Sequence, residues 1–236
     1  MNLRVKFTKK GYLKYTSHLD LMRLFQRAFR RGNIPIKYSE GYNPQPKMSI
    51  ASPLALGIES EEEFMDIELS NKFPEKEFIK IMNNELPEGI KILDVKYVDE
   101  KKSLPSIVGW SYYEISVKTK NMIDRNVIEA KINKWLSERE IIFERIKFKK
   151  GKEIKEVKNI RPLIGNISLV KDDKNISDDT IVFRCLLKSG DSGNLKPTDF
   201  LIAIEDYLNL NIEIEMADIK RLNIFAELEG KIQSPM

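Results

Sequence analysis

The chain has 236 residues, 42% of them apolar and 32% charged, with a formal net charge of +4. That length suits one large or two small domains, and that composition suits packed cores rather than disorder. A single cysteine, Cys185, and a single histidine, His18, exclude an internal disulfide framework. They also exclude a standard His/Cys metal or iron–sulfur site built from this chain alone, so no cofactor is expected.

In chain order, "LRVKFTK" (3–9) reads as a strand, Gly11 as a turn and "YLKY" as a short strand. A helix is expected over 18–31: Ser17 and Asp20 form a capping-box-like start, while Gly32, Asn33 and Pro35 end it. Short strands follow at "IKYS" (36–39) and "KMSIAS", separated by the turn-rich "EGYNPQP" (40–46). A strand "EFMDIELS" (63–70), a Pro-started helix "PEKEFIKIMNNEL" and a strand "IKILDVKYV" (90–98) close the first half. The polar, Pro- and Gly-containing stretch 99–109 reads as a linker.

The second half repeats the rhythm. A strand "SYYEISVK", a helix over 122–138 and a strand "EIIFERIKFK" come first. Strands near 153–158, 164–170 and 179–187, a helix over 196–209 and a strand "IEIEMADIKRLNIF" follow. The expected fold is α+β: two tandem ferredoxin-like (βαββαβ) domains with extra hairpin strands, at 1–100 and 110–236.

Charge is segregated along the chain. Residues 1–50 carry eleven Lys and Arg against Asp20 and Glu40 alone. The block "ESEEEFMDIE" (59–68) carries six carboxylates and no basic residue, and 139–161 is basic again, nine against four. Separate surfaces for separate partners are expected from such a pattern, with solvated faces as the plainer alternative. In the acidic block, Glu61, Glu62 and Glu63 are the candidate partner-docking residues.

At 100° per residue, Leu21, Met22, Leu24, Phe25, Ala28 and Phe29 share one side of the 18–31 helix. Arg23, Arg27, Arg30 and Arg31 share the other. A solvated face normally interleaves Glu with Lys, whereas arginine without glutamate suits bidentate phosphate recognition. Four or five such contacts to phosphates give a log–log salt slope of roughly −3 to −4. The following loop carries Tyr42 and Lys47 on either side of the stiffening Pro44 and Pro46, a form able to stack and clamp an unpaired base unless tyrosine burial fixes it. His18 is the one candidate general base, for a metal-independent ribonuclease. It stands at the first helical turn nearer the apolar side, however, and no second acid or base is evident. No Gly-rich phosphate cradle occurs.

The segment "KGYLKYTSHLDLMRLFQRAFRRGNIPIKYSEGYNPQPKMSIASPLALGIESEEEFMDIEL" resembles the radical SAM-linked protein family, a bacterial domain found free-standing or fused to the C-terminal end of radical SAM enzymes. The likeness is dense over residues 11–69, through His18, Asp20, Arg23, Arg27, Arg30, Arg31, Pro35, Gly41, Asn43, Pro44, Pro46, Gly57, Glu63 and Asp66. It is looser at "VKNIRPLI" (157–164) and "LKPTDFL" (195–201), and Asn159 stands where the family pattern has an acidic residue. The resemblance implies a radical SAM enzyme as partner, with the radical chemistry belonging to that partner. With the basic helix and loop, the expectation is a non-catalytic RNA-binding accessory protein acting in tRNA or rRNA modification or ribosome-related RNA metabolism. The alternatives are an endoribonuclease using His18 and a protein-interaction adaptor without nucleic acid. No apolar run approaches the ~20 residues of a membrane span, and the N-terminus lacks a signal-peptide core, so a cytoplasmic protein with no membrane partner is expected. The sequence leaves the oligomeric state open.

Overall fold

A computed structural model describes residues 1–99, 102–120, 124–149, 152–171, 176–177 and 179–236. Part of the expected linker (100–101) and the expected start of the 122–138 helix lie outside the described residues. The chain divides into two compact units: 1–111 with 189–191 and 220–236, and 112–188 with 192–219.

The first unit begins with β1 (Asn2–Lys9) and α1 (His18–Arg31), the helix spanning the expected residues. The Ser17 hydroxyl caps α1, accepting from the Asp20 N–H at 3.2 Å. At the other end, a Cβ on Gly32 would lie 2.6 Å from Ile81 Cγ2, so glycine is what lets the neighbouring helix approach. Then come β2 (Met48–Ile50), β3 (Glu59–Glu68), that neighbouring helix α2 (Glu75–Glu85) and β4 (Ile92–Val98). All pairings among these strands are antiparallel: β1 with β4 and β3, and β2 with β3. The order is therefore β4-β1-β3-β2. Leu3, Val5, Phe7, Met65 and Ile67 meet Leu21, Phe25, Ala28 and Phe29 of α1 in one buried cluster. Its aromatic spine runs from Phe7 to Phe25 (4.9 Å, edge-on), Phe29 (6.0 Å) and Phe78 (6.4 Å).

Several expected elements differ. "YLKY" is a 3₁₀ turn over Gly11–Tyr15 rather than a strand, because Gly11 at φ 61° turns the chain off the sheet. "IKYS" supplies only single bridges, Ile36 to Leu69 and Tyr38 to Pro46. β3 starts at Glu59, so the acidic block lies on the strand itself. Residues 104–107, expected in the linker, form a short helix, α3 (Leu104–Ile107), with Leu104 and Ile107 buried.

β5 (Val108–Lys118) leads into the second unit, which continues with α4 (Arg125–Ser137), β6 (Ile142–Lys149), β7 (Lys152–Asn159), β8 (Ile164–Leu169), β9 (Thr180–Lys188) and α5 (Pro197–Leu208). Asp124 caps α4, accepting from the Asn126 N–H at 2.9 Å. β8 and β9 pair antiparallel, while β6 and β7 form a separate two-stranded ladder. Trp135 of α4 and Phe200 of α5 approach at 6.4 Å, and Phe183 of β9 meets Phe200 edge-on. Asn159 has a structural role: its Oδ1 accepts from the Ile141 and Arg161 N–H groups at 3.0 Å each, tying the base of the ladder.

The last long strand, β10 (Asp218–Leu228), begins later than expected, after a 3₁₀ turn at Ile214–Met216. From Lys220 onward it belongs to the first unit, and the contiguous division at 110 did not include this return. β10 pairs in parallel with β3, Lys220 opposite Glu59 and Arg221 opposite Ser60, so the fold is mixed α+β. A final short strand, β11 (Lys231–Gln233), pairs with β10. Among the described residues, no helix is long and apolar enough to cross a membrane.

Candidate nucleic-acid interface

The apolar stripe of α1 is held against the sheet, so its opposite side faces solvent, and Arg23, Arg27, Arg30 and Arg31 are all exposed there. They are not equivalent. Arg31 is bound to α2: its Nε donates to Glu85 Oε2 at 2.7 Å and its Nη2 to the Glu85 carbonyl. Arg23 pairs with Asp20 at 3.0 Å, both side chains exposed. Hydrogen bonds from Ser17 and Arg23 hold the Asp20 carboxyl below the usual carboxylate range. Arg27 and Arg30 make no hydrogen bond or ion pair among the described residues. They lie three residues apart, close to one helical turn, so their guanidiniums are neighbours on one side of α1.

The loop after α1 is closed by its own hydrogen bonds. Ser39 and Gln45 bond reciprocally, the Ser39 N–H to the Gln45 carbonyl (2.8 Å) and the Gln45 N–H to Ser39 Oγ (3.0 Å). The Lys47 N–H donates to the Lys37 carbonyl at 2.8 Å, completing the neck. Tyr38 packs against the core of the first unit, whereas Tyr42 at the tip is fully exposed. At the neck, Lys37 and Lys47 both reach Glu68, at 2.6 and 3.2 Å. The Lys37 hydrogen bond chiefly holds the Glu68 carboxyl below its ordinary range, with Lys47 adding to it, and Glu68 in turn raises Lys37.

The acidic block is largely answered from within. Glu61 pairs with Lys10 at 2.5 Å and Glu62 with Lys6 at 3.1 Å. Glu63 is only 2% exposed and forms a two-toothed ion pair with Arg221, at 2.8 and 2.5 Å. A docking partner would therefore meet Glu61 and Glu62 but not Glu63. His18 occupies the first position of α1, half-buried, and the cap belongs to Ser17 rather than to it.

A group of buried charges sits at one end of the sheet: Lys9, Glu63 and Arg221. The Lys9 ammonium donates to the Thr16 carbonyl at 2.8 Å, and burial pulls its pKa down while Glu63 opposes that shift. Arg221 also donates to the Ser52 carbonyl at 2.9 Å. The sequence held a signal for this group. Lys9 is in phase with Leu3, Val5 and Phe7, Glu63 with Met65 and Ile67, and Arg221 with Ile219, so each falls on an inward position. Arg4, fully buried, holds Asp66 with two bonds of 2.8 and 3.0 Å and the Pro235 carbonyl with a third. Among the described residues, no cluster of three or more His, Cys, Asp or Glu side chains could hold a metal ion.

Together these features define a mixed α+β protein with a cationic helix and an aromatic-tipped loop on its first unit. The chain belongs to the family described as an uncharacterized protein conserved in bacteria (DUF2344), whose model matches residues 2–197. Its fold is similar to one chain in the crystal structure of a Cbf5-Nop10-Gar1 complex, with a TM-score of 0.53 and 10% sequence identity. That likeness covers 94% of this chain and 48% of the other, so this chain spans about half the length of that neighbour. No curated protein matches the sequence.

Proposed function

We propose that this protein is a non-catalytic RNA-binding accessory protein whose grip consists of Arg23, Arg27 and Arg30 on α1, with Tyr42 and Lys47 on the adjoining loop. The observation that carries this reading is the state of Arg27 and Arg30: exposed, adjacent and in no hydrogen bond or ion pair among the described residues, with Asp20 acting on Arg27 only at longer range. Guanidiniums left in this state are available for bidentate phosphate contacts, and an exposed tyrosine on a closed loop offers a face on which a base can stack. Arg31 leaves the grip because Glu85 already holds it.

The partner in this reading is a radical SAM enzyme, supported by the resemblance over residues 11–69, with Glu61 and Glu62 as its docking residues and tRNA or rRNA as the shared substrate. The ferredoxin-like plan for each half is supported in the first unit by the strand order β4-β1-β3-β2.

The test is fluorescence anisotropy with labelled transfer RNA and a single-stranded RNA across a salt series. Arg27→Glu with Arg30→Glu should weaken binding at least ten-fold and flatten the log–log salt slope by about 1.4–1.8, two phosphate contacts. Unchanged affinity and slope would overturn the RNA grip, and cleavage of the RNA that His18→Ala abolishes would overturn the non-catalytic reading.

A further inference from the structure

One side of the β6–β7 ladder of the second unit is left half-exposed among the described residues. Its register sets Ile142 opposite Asn159, Glu144 opposite Val157 and Ile146 opposite Lys155, and directly opposed residues project to the same side. Ile142, Val157 and Ile146 therefore form one aliphatic stripe, 54%, 56% and 62% exposed. An isolated two-stranded ribbon is only marginally stable in water, and a stripe of half-exposed β-branched side chains adds to its solvation cost.

The stripe runs into a groove of about 500 Å³ at the ladder's base. Its floor is the stacked pair Trp135 and Tyr207, ring centroids 5.6 Å apart. Its described lining residues include Glu138, Glu140, Glu144 and Asp206 and no lysine or arginine, in a chain whose net charge is +4. Glu144 is answered by Lys155 at 2.6 Å, while Glu138, Glu140 and Asp206 make no ion pair among the described residues.

We propose that this stripe and groove form a docking surface for a segment of a partner polypeptide that carries one or two basic side chains beside a run of aliphatic ones. The aliphatic run covers Ile142, Val157 and Ile146. A guanidinium or ammonium enters the groove over the Trp135–Tyr207 pair, where ring faces and carboxylates attract the same sign of charge. The rim repels phosphates, so the surface does not extend the RNA grip of the first unit, and the proposal stands whether or not RNA binds there.

The probe is a fluorescein-labelled peptide with two arginines followed by alternating valine and threonine; the control replaces the arginines with glutamates. Anisotropy should show the arginine peptide binding at least ten-fold more tightly than the control. Glu140→Lys with Asp206→Lys should remove that preference, and Ile146→Ser should weaken binding several-fold, with circular dichroism unchanged in both variants. Equal binding of the two peptides, or no response to either variant, would overturn the proposal. So would sedimentation showing a dimer of this chain that Ile146→Ser dissociates, or an RNA footprint that Ile146→Ser removes.

Discussion

Arg221 and Glu63, 158 residues apart in the chain, face each other through two hydrogen bonds of 2.8 and 2.5 Å, both side chains almost wholly excluded from solvent. Removing one member leaves a buried charge without its counter-ion, which costs about 3–5 kcal/mol, whereas replacing both with apolar residues is often neutral or better. Arg221→Met or Glu63→Leu alone should therefore lower the urea midpoint sharply, and the double variant should recover part of the loss, the remainder reflecting buried Lys9, which also faces Glu63. Additive losses in the double variant would show that the two side chains stabilise the fold independently.

Arg27 and Arg31 are both exposed arginines on one helix, yet they should behave differently. Arg31→Ala removes the link to Glu85 of α2 and should lower stability by up to about 1 kcal/mol while leaving RNA affinity within two-fold. Arg27→Ala should leave the denaturation curve in place and weaken RNA binding. The pair of measurements separates a packing role from a ligand role on the same side of α1.

Glu68 restrains two lysines at the neck of the Tyr42 loop, and its removal frees them. Glu68→Gln should tighten RNA binding roughly three-fold at low salt and steepen the salt slope by about 0.7–0.9, one extra phosphate contact. The pH sign is fixed by the shifts. The folded carboxyl titrates below its unfolded value, so the link contributes above the ordinary carboxylate range and is lost as pH falls through the depressed folded value. Lys37 titrates above its unfolded value, so its share is complete below the ordinary lysine range and is lost as pH rises through the raised folded value. Amide exchange at Ser39 and Gln45 should therefore be least opened at intermediate pH and should lose that pH dependence in Glu68→Gln.

Cys185, on β9, is fully buried, and burial pushes its thiol pKa far up. The reactive thiolate is thus scarce and enclosed in the native state. The thiol should resist iodoacetamide at neutral pH and react fully in denaturant, making pulsed alkylation a direct reading of unfolding. Rapid labelling of the native protein would contradict the burial.

The parts legible in the sequence were those written in local chemistry. Ser17, Asp20 and Gly32 bracket α1, and its 3.6-residue apolar period separates core from arginine, so the helix was readable to the residue. "YLKY" is too short for its residue pattern to separate a strand from a 3₁₀ turn, and the deciding fact is the backbone at Gly11. The state of each arginine was not readable: Arg31 differs from Arg30 only in standing beside Glu85, which is brought there by packing between helices. Likewise Glu61 shares the strand alternation of Glu63, and what sets Glu63 apart is its burial against Arg221, which β10 brings to it. The return of 220–236 to the first unit is a long-range pairing that no local signal announces.

That return has a consequence for synthesis. When the ribosome has delivered residues 1–111, α1, α2 and the first four strands are present, but β10 and Arg221 are not. Glu63 then faces the Lys9 amine without Arg221, and β3 has no parallel neighbour at Glu59 and Ser60. The unit begun first is thus finished last, after the whole second unit has emerged, and a nascent chain stalled near residue 200 should expose the end of β3 to chaperones and proteases.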